Sequence, residues 1–290
     1  MNTNKLIEEE NIAGVVILYN PENNLVENIN SYLNQINYLF IIDNSKKLNT
    51  SIKDYFKTNK IVEYIFNNGN LGVAECLNIS AKKALKRGCS HLLTMDQDSK
   101  AAPDMLSQMI STTSGLQNVG IISPFHINKF ETKDIPQETF NEELVVQTSG
   151  NLLNLSVYQT VGPFLEEFFI DYVDTEYCLR LKKNNFKVVR VNNALLYHNE
   201  ADITKRNFVS KKIFPHNHSP IRLYFKTRNR FYLRDYYKKD FPEYFKYEFS
   251  LYRNMIIKII LFEKNKMKKI KFAIKGYLDY LRNVKHSPFL

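Results

Sequence analysis

The feature that most constrains this chain is a series of four apolar runs within its first 100 positions, each stopped by polar residues. Asn11 to Tyr19 (NIAGVVILY) is continuous and rich in β-branched residues, and it breaks at Asn20-Pro21. Tyr38 to Ile42 ends in Asp43-Asn44-Ser45, and Ile61 to Phe66 ends in Asn67-Asn68-Gly69-Asn70-Leu71-Gly72. His91 to Met95 ends in Asp96-Gln97-Asp98. Continuous apolar runs mark strands covered on both faces, as in parallel sheets. Between them, Asn24 to Gln35 carries Leu25, Ile29 and Leu33 at helical spacing, and Val73 to Arg87 reads as a helix closed by Gly88. This alternation predicts an α/β fold with a mostly parallel central sheet flanked by helices. Such sheets bind ligands beyond the carboxyl ends of their strands.

Asn20, Asp43, Asn70 to Gly72 and the Asp96/Asp98 pair all fall at those ends. Neither GxGxxG nor GxxxxGK[ST] is present, so a bound phosphate would need another holder. Two carboxylates one residue apart repel unless a cation, a proton or a basic group sits between them. Magnesium or manganese would suit two oxygen donors. Taken alone, D-x-D is more often a solvated turn after a strand.

Further along, Pro103 to Thr112 reads as a helix, Gly120 to Pro124 as a short strand and Phe125 to Glu143 as an irregular loop. Val145 to Leu155 reads as a strand interrupted by Ser149-Gly150, where glycine marks a close approach of backbone or ligand. Asp171, Asp174 and Glu176 then fall within six residues at the start of a helical stretch, more acids than one N-cap needs. Lys187 to Val191 and Ala194 to Tyr197 read as two strands, and His198 follows the second. Imidazole suits a manganese site as well as a plain surface.

Charge divides the chain. Residues 201–290 carry 22 Lys/Arg against 7 Asp/Glu, a net +15 within a total of +10, so the first 200 residues carry −5. The expected organisation is a catalytic domain over 1–214 and a basic, amphipathic helical region over 215–290. Lys264, Lys266, Lys268, Lys269 and Lys271 interleaved with Phe262, Ile270 and Phe272 suggest docking to an anionic membrane; self-association through the same helices fits the pattern too. Nucleic-acid binding would explain the charge but not the acids, and no nucleic-acid motif is present. Three cysteines without metal-ligand spacing, no leader-like start and no membrane-length apolar run predict a cytoplasmic protein, peripheral at most on the inner face of the membrane.

In order, the segments GVVILYNP, IIDNS, NNGNLGVAECLN, LLTMDQDS, TSGNLLN, FIDYVDTEYCLRL, ALLYHNE and SPIRLYFKTRNRFYLRDYY resemble bacterial family 2 glycosyltransferases of the GT-A fold, most closely their rhamnosyltransferase-like branch. The likeness runs over about residues 11–237. It implies donor binding by Tyr19, Asn20, Asp43 (on the base), Asn70, Gly72, Asn78, Asp96 and Arg228. It further implies a Mn2+ or Mg2+ ion on Asp98 and His198, and Asp174 as catalytic base. Ser149, Gly150 and Glu176 would belong to the acceptor region. Many members carry Glu-Asp where this chain has Val173-Asp174. The implied reaction is inverting transfer from a nucleotide-sugar, dTDP-rhamnose ahead of a UDP-hexose such as galactose, galactofuranose or glucose, to a hydroxyl of a glycan or lipid-linked acceptor in surface polysaccharide synthesis. A catalytically dead scaffold of the same family is the remaining alternative, which the intact acids oppose.

Overall fold

A computed structural model describes residues 11–21, 24–128, 134–198, 206–208, 211–213, 217–286 and 289. They divide into two compact units, one drawn from 1–166 and 174–199, the other from 167–173 and 200–289.

In the first unit, β1 (Ile12–Leu18), β2 (Tyr38–Asp43), β3 (Val62–Phe66) and β4 (His91–Asp96) pair in parallel in the order β3-β2-β1-β4. Helices α1 (Leu25–Leu33), α2 (Thr50–Phe56) and α3 (Val73–Lys86) connect them. Every residue of β1 except Ile17 is buried, the two-faced cover that its unbroken apolar run requires. Register brings the strand ends together: Leu18 lies beside Asp43, Ile17 beside Asp96 and Asp43 beside Phe66. The polar strand ends therefore share one edge of the sheet.

The sheet continues through β5 (Ser99–Ala101), β6 (Val119–Asn128), β7 (Phe140–Glu143), β8 (Asn151–Asn154) and β9 (Lys187–His198). Its path is β3-β2-β1-β4-β8-β6-β9-β5, with β7 on β9. Antiparallel pairings at β8, β5 and β7 join a sheet whose longer pairings, among β1–β4 and between β6 and β9, are parallel. Helices α4 (Met105–Thr113), α5 (Leu155–Val161) and α6 (Val173–Lys183) complete the unit's framework. A core including Ile12, Val16, Leu93, Met105, Leu152 and Leu196 spans both halves of the sheet. Each such side chain contributes roughly 1.5–3 kcal/mol on burial.

Several boundaries differ from expectation. Val145 to Leu155 is not one strand: only Asn151–Asn154 is, because the Asn154 side chain accepts from the N–H groups of Ser156 and Val157 and starts α5. The two strands expected over 187–197 are one, β9, whose pairing with β6 shifts register between Pro124 and Phe125. The expected loop after Pro124 is strand as far as Asn128, and Phe140–Glu143 is β7.

In the second unit, α7 (Pro220–Tyr237), α8 (Pro242–Phe262) and α9 (Lys266–Leu281) follow a small β10 (Arg206–Phe208) and β11 (Lys211–Ile213) hairpin. Ser219 caps α7 by accepting from Arg222 N–H, with Pro220 at the first helical position. Gly276 lets α9 approach α7: a Cβ there would lie 2.4 Å from the Tyr224 carbonyl oxygen. The interior is polar as well as aromatic. Arg230 pairs with Glu248 at 2.9 Å, Lys269 with Glu263 at 2.6 Å, and Tyr224 donates to Asp279. No described helix is long and apolar enough to cross a membrane.

Candidate functional site

The turn between β4 and β5 carries both acids of the D-x-D. β4 ends at Asp96, Gln97-Asp98 forms the turn, and β5 begins at Ser99, whose register partner on β9 is His198. Strand pairing thus brings a histidine 100 positions away onto the acids. His198 Nε2 lies 3.2 Å from Asp98 Oδ1 and 3.6 Å from Asp96 Oδ2. Asp96, Asp98 and His198 each offer one ligand atom, and the three atoms lie within 4.8 Å of one another. Two carboxylate oxygens and an imidazole nitrogen suit manganese, while magnesium favours an all-oxygen shell and would lean on the acids. The residues present fit a divalent cation.

Ser149 and Gly150 lie beneath this turn. Ser149 Oγ is buried, accepts from Asp96 N–H at 3.0 Å and donates to Ser99 Oγ at 2.7 Å. The Ser149 carbonyl lies 2.8 Å from His126 Nε2, and the His126 and His198 rings are 6.1 Å apart. Gly150 adopts φ +81°, where a Cβ would sit 2.5 Å from Pro124 Cγ, so glycine is needed twice over. Ser149 therefore braces the turn that carries the acids.

Asp174 occupies the second position of α6 rather than its cap. Its Oδ1 accepts from Thr175 N–H at 2.7 Å, and Thr148 Oγ1 donates to Oδ2 at 3.4 Å. Thr148 and Ser149 are neighbours in the chain, so one short turn touches Asp174 on one side and Asp96 on the other.

Along the same sheet edge, a cleft of about 350 Å³ is lined by Asn20, Pro21, Ser45, Lys47, Asn49 and Thr50, among others. Tyr19, 48% exposed, is fixed through its backbone N–H, which donates to Gln97 Oε1 at 2.9 Å. Asn20 N–H donates to Ser45 Oγ, with Asn20 in the left-handed region at φ +48°. Asn70 Oδ1 accepts from Gly72 N–H, shaping the turn into α3, and the Gly72 carbonyl accepts from Asn44 Nδ2 at 3.4 Å.

Four expected site residues are buried and hydrogen-bonded within the protein. Asp43 is fully buried, and its carboxylate accepts from Ser45 N–H, Asn49 N–H and Tyr64 OH, so it organises the loop lining the cleft instead of presenting a free oxygen. Burial and the neighbouring Asp43 carboxylate push the Tyr64 phenol well above its ordinary range, keeping it a proton donor. Asn78 is buried and fully engaged: its amide donates to Phe164 O and Glu166, and its oxygen accepts from Tyr158 OH and Phe164 N–H. Glu176 is buried in a two-pronged pair with Arg180 at 2.8 and 3.0 Å, one helical turn on. Arg228 lies within the second unit, its guanidinium donating to the carbonyls of Glu167 and Lys285 and lying over the Phe225 ring. The three cysteines are buried free thiols; burial pushes Cys76 and Cys178 up to about 12.

Sequence reasoning missed Tyr64, Gln97, Ser99, His126 and Thr148. Of these, only Gln97 carried a signal, being enclosed by the two acids.

The family model described as Glycosyl transferase family 2 matches residues 15–174. The chain is 28% identical over 305 residues to the dTDP-rhamnosyl transferase RfbF of Shigella flexneri, covering 94% of this chain and 96% of that one. It is 24% identical over 299 residues to the glycosyltransferase MJ1057 of Methanocaldococcus jannaschii, covering 92% and 97%. Among solved structures, GalNAc-T7 with UDP, GalNAc and Mn2+ superposes with a TM-score of 0.62 at 13% identity, over 81% of this chain and 50% of that one. Staphylococcus aureus TarS 1–349 in complex with UDP gives 0.54 at 12% identity, over 94% and 72%.

Proposed function

Because the chain belongs to glycosyl transferase family 2, we propose that it transfers rhamnose from dTDP-rhamnose, with inversion, to a hydroxyl of a glycan or lipid-linked acceptor in bacterial surface polysaccharide synthesis. The observation that carries the chemistry is the convergence of Asp96, Asp98 and His198 at the ligand-binding edge of the sheet. The likeness to a dTDP-rhamnosyl transferase over nearly the whole chain supports the donor. Asp98 and His198 would hold Mn2+ or Mg2+ with Asp96 beside them, and the bound ion would neutralise the departing diphosphate.

The remaining work falls to side chains. Tyr19, Asn20 and the Asn70–Gly72 turn would bound the nucleotide, with Asp43 and Tyr64 acting through the 44–50 loop. The Asp174 carboxylate would take the proton of the acceptor hydroxyl as its oxygen bonds to the anomeric carbon and the sugar–phosphate bond breaks. One base without an enzyme nucleophile implies a single displacement, hence inversion. The enzyme would act in the cytoplasm, at the inner face of the membrane. A nucleic-acid role for the basic tail leaves the acids and His198 without a purpose.

Thermal shift with dTDP and UDP, each with and without Mn2+, tests the reading. Ligand at 100 times its dissociation constant should stabilise the chain by about 2.7 kcal/mol. The expected result is metal-dependent stabilisation, larger for dTDP. Failure of both nucleotides with metal present would overturn the nucleotide-sugar reading. A clear preference for UDP would replace rhamnose by a hexose from a UDP donor.

A further inference from the structure

The second unit carries an apolar surface that its own packing leaves uncovered. From Met255 to Phe262, α8 is apolar but for Lys258, and of these residues only Ile259 is fully buried. Ile257, Ile260 and Leu261 are exposed; Ile260 and Leu261 follow Ile257 by three and four residues, and Arg253 precedes it by four, so all face one side of the helix. Leu261, at the end of α8, is 58% exposed, and Met267, at the start of α9, is 81% exposed. A helix that is apolar nearly all round is normally covered by something.

Charge identifies the cover. Lys264, Lys266, Lys268 and Lys271 are exposed around this corner, and Glu263, the one acid between residues 249 and 271, is buried against Lys269. Lys269 thereby leaves the lysine cluster expected from sequence: it neutralises an interior carboxylate. What remains outside is apolar and cationic without a compensating acid. A second copy of this face would bring like charge against like charge, which opposes a self-complementary interface. A phospholipid surface rich in anionic headgroups complements both properties, taking the apolar side chains at the acyl boundary and the lysines among the phosphates.

We infer that the α8–α9 corner, through Leu261, Met267 and the lysines at 264, 266, 268 and 271, docks the chain on an anionic phospholipid surface. The inference is independent of the chemistry proposed for the first unit. The contact inferred is a peripheral one, which salt weakens.

Co-sedimentation of the full chain with vesicles tests it. Vesicles with about one third phosphatidylglycerol should bind the chain at least about tenfold more strongly than pure phosphatidylcholine at low salt, and about 0.5 M NaCl should remove most of the difference. Replacing Lys264, Lys266, Lys268 and Lys271 together by Glu should abolish the preference, and Leu261→Ser with Met267→Ser should weaken binding about tenfold. All six positions are exposed, so melting temperature and nucleotide-induced thermal shift should match the parent chain in both variants. Equal binding to neutral and anionic vesicles would overturn the inference. So would parent-like binding by the four-lysine variant, or a concentration-dependent dimer that the Leu261/Met267 variant dissolves while vesicle binding persists.

Discussion

The buried hydroxyl of Ser149 accepts the backbone N–H of Asp96 at 3.0 Å while donating to Ser99 at 2.7 Å. Because Ser99 is the register partner of His198, this one hydroxyl ties the first acid of the D-x-D to the strand that delivers the histidine. Ser149→Ala would leave the Asp96 N–H without that partner and loosen the turn. Unpairing a buried donor costs about 1–3 kcal/mol. Manganese-dependent dTDP affinity, measured by titration calorimetry, should fall about tenfold, whereas metal-free nucleotide affinity should change little. Equal loss with and without metal would place Ser149 in the general scaffold instead.

Asp98 and Asp174 should separate by function. Asp98→Ala removes a carboxylate from the Asp96/Asp98/His198 group and should weaken metal-dependent nucleotide binding by tenfold or more. Asp174→Asn keeps the shape at the head of α6 but cannot accept a proton. It should lower the transfer rate by about 100-fold or more while nucleotide binding stays at the parent value. If Asp98→Ala leaves binding unchanged, the metal assignment fails. If Asp174→Asn retains transfer, another group is the base.

Tyr64 should matter for binding and not for chemistry. Its hydroxyl donates to the buried Asp43 carboxylate, which also gathers the N–H groups of Ser45 and Asn49 and so shapes the loop lining the cleft. Tyr64→Phe removes one charge-assisted bond, worth about 1.5–3 kcal/mol. Steady-state kinetics should show KM for the donor rising several-fold with kcat nearly unchanged, the pattern of lost ground-state binding. A fall in kcat at constant KM would contradict this placement.

That Asp96, Asp98 and His198 come together could be anticipated from the strand ends on which they stand, whereas Asp174 stands at the head of α6. Asp43, Asn78, Glu176 and Arg228 are expected in the site from the segments in which they stand. A segment match does not say which way a side chain turns: all four are buried and hydrogen-bonded within the protein. The contacts of Ser149 were not legible for a related reason. An interrupted strand signals a close approach without naming what approaches, and here it is the Asp96 turn. The first four strands were legible from unbroken apolar runs. The start of α5 was not, because Leu152 to Leu155 fits strand and helix alike and the Asn154 cap decides.

The acid limb of stability should depend on Asp171. Burial alone would raise its pKa, but Lys226 at 3.3 Å and Arg222 at 2.9 Å, with His218 adding to them, hold the carboxyl well below the usual carboxylate range. A depressed folded pKa contributes stability that is complete above the unfolded carboxylate value and is lost as pH falls toward the folded one. The chain should therefore lose stability progressively below about pH 4, as the unfolded state takes up the proton first. Asp171→Asn is the informative variant. Asp171 sits at φ +62°, a left-handed conformation that Asn tolerates, so the substitution removes charge without adding backbone strain. It should cost about 1–3 kcal/mol at pH 7, reduced because Arg222 is half exposed, and the parent-minus-variant difference should shrink as pH falls toward 2. Urea unfolding midpoints at several pH values would measure this directly, and a difference that stays constant down the acid limb would mean that Asp171 acts through packing and not through its charge.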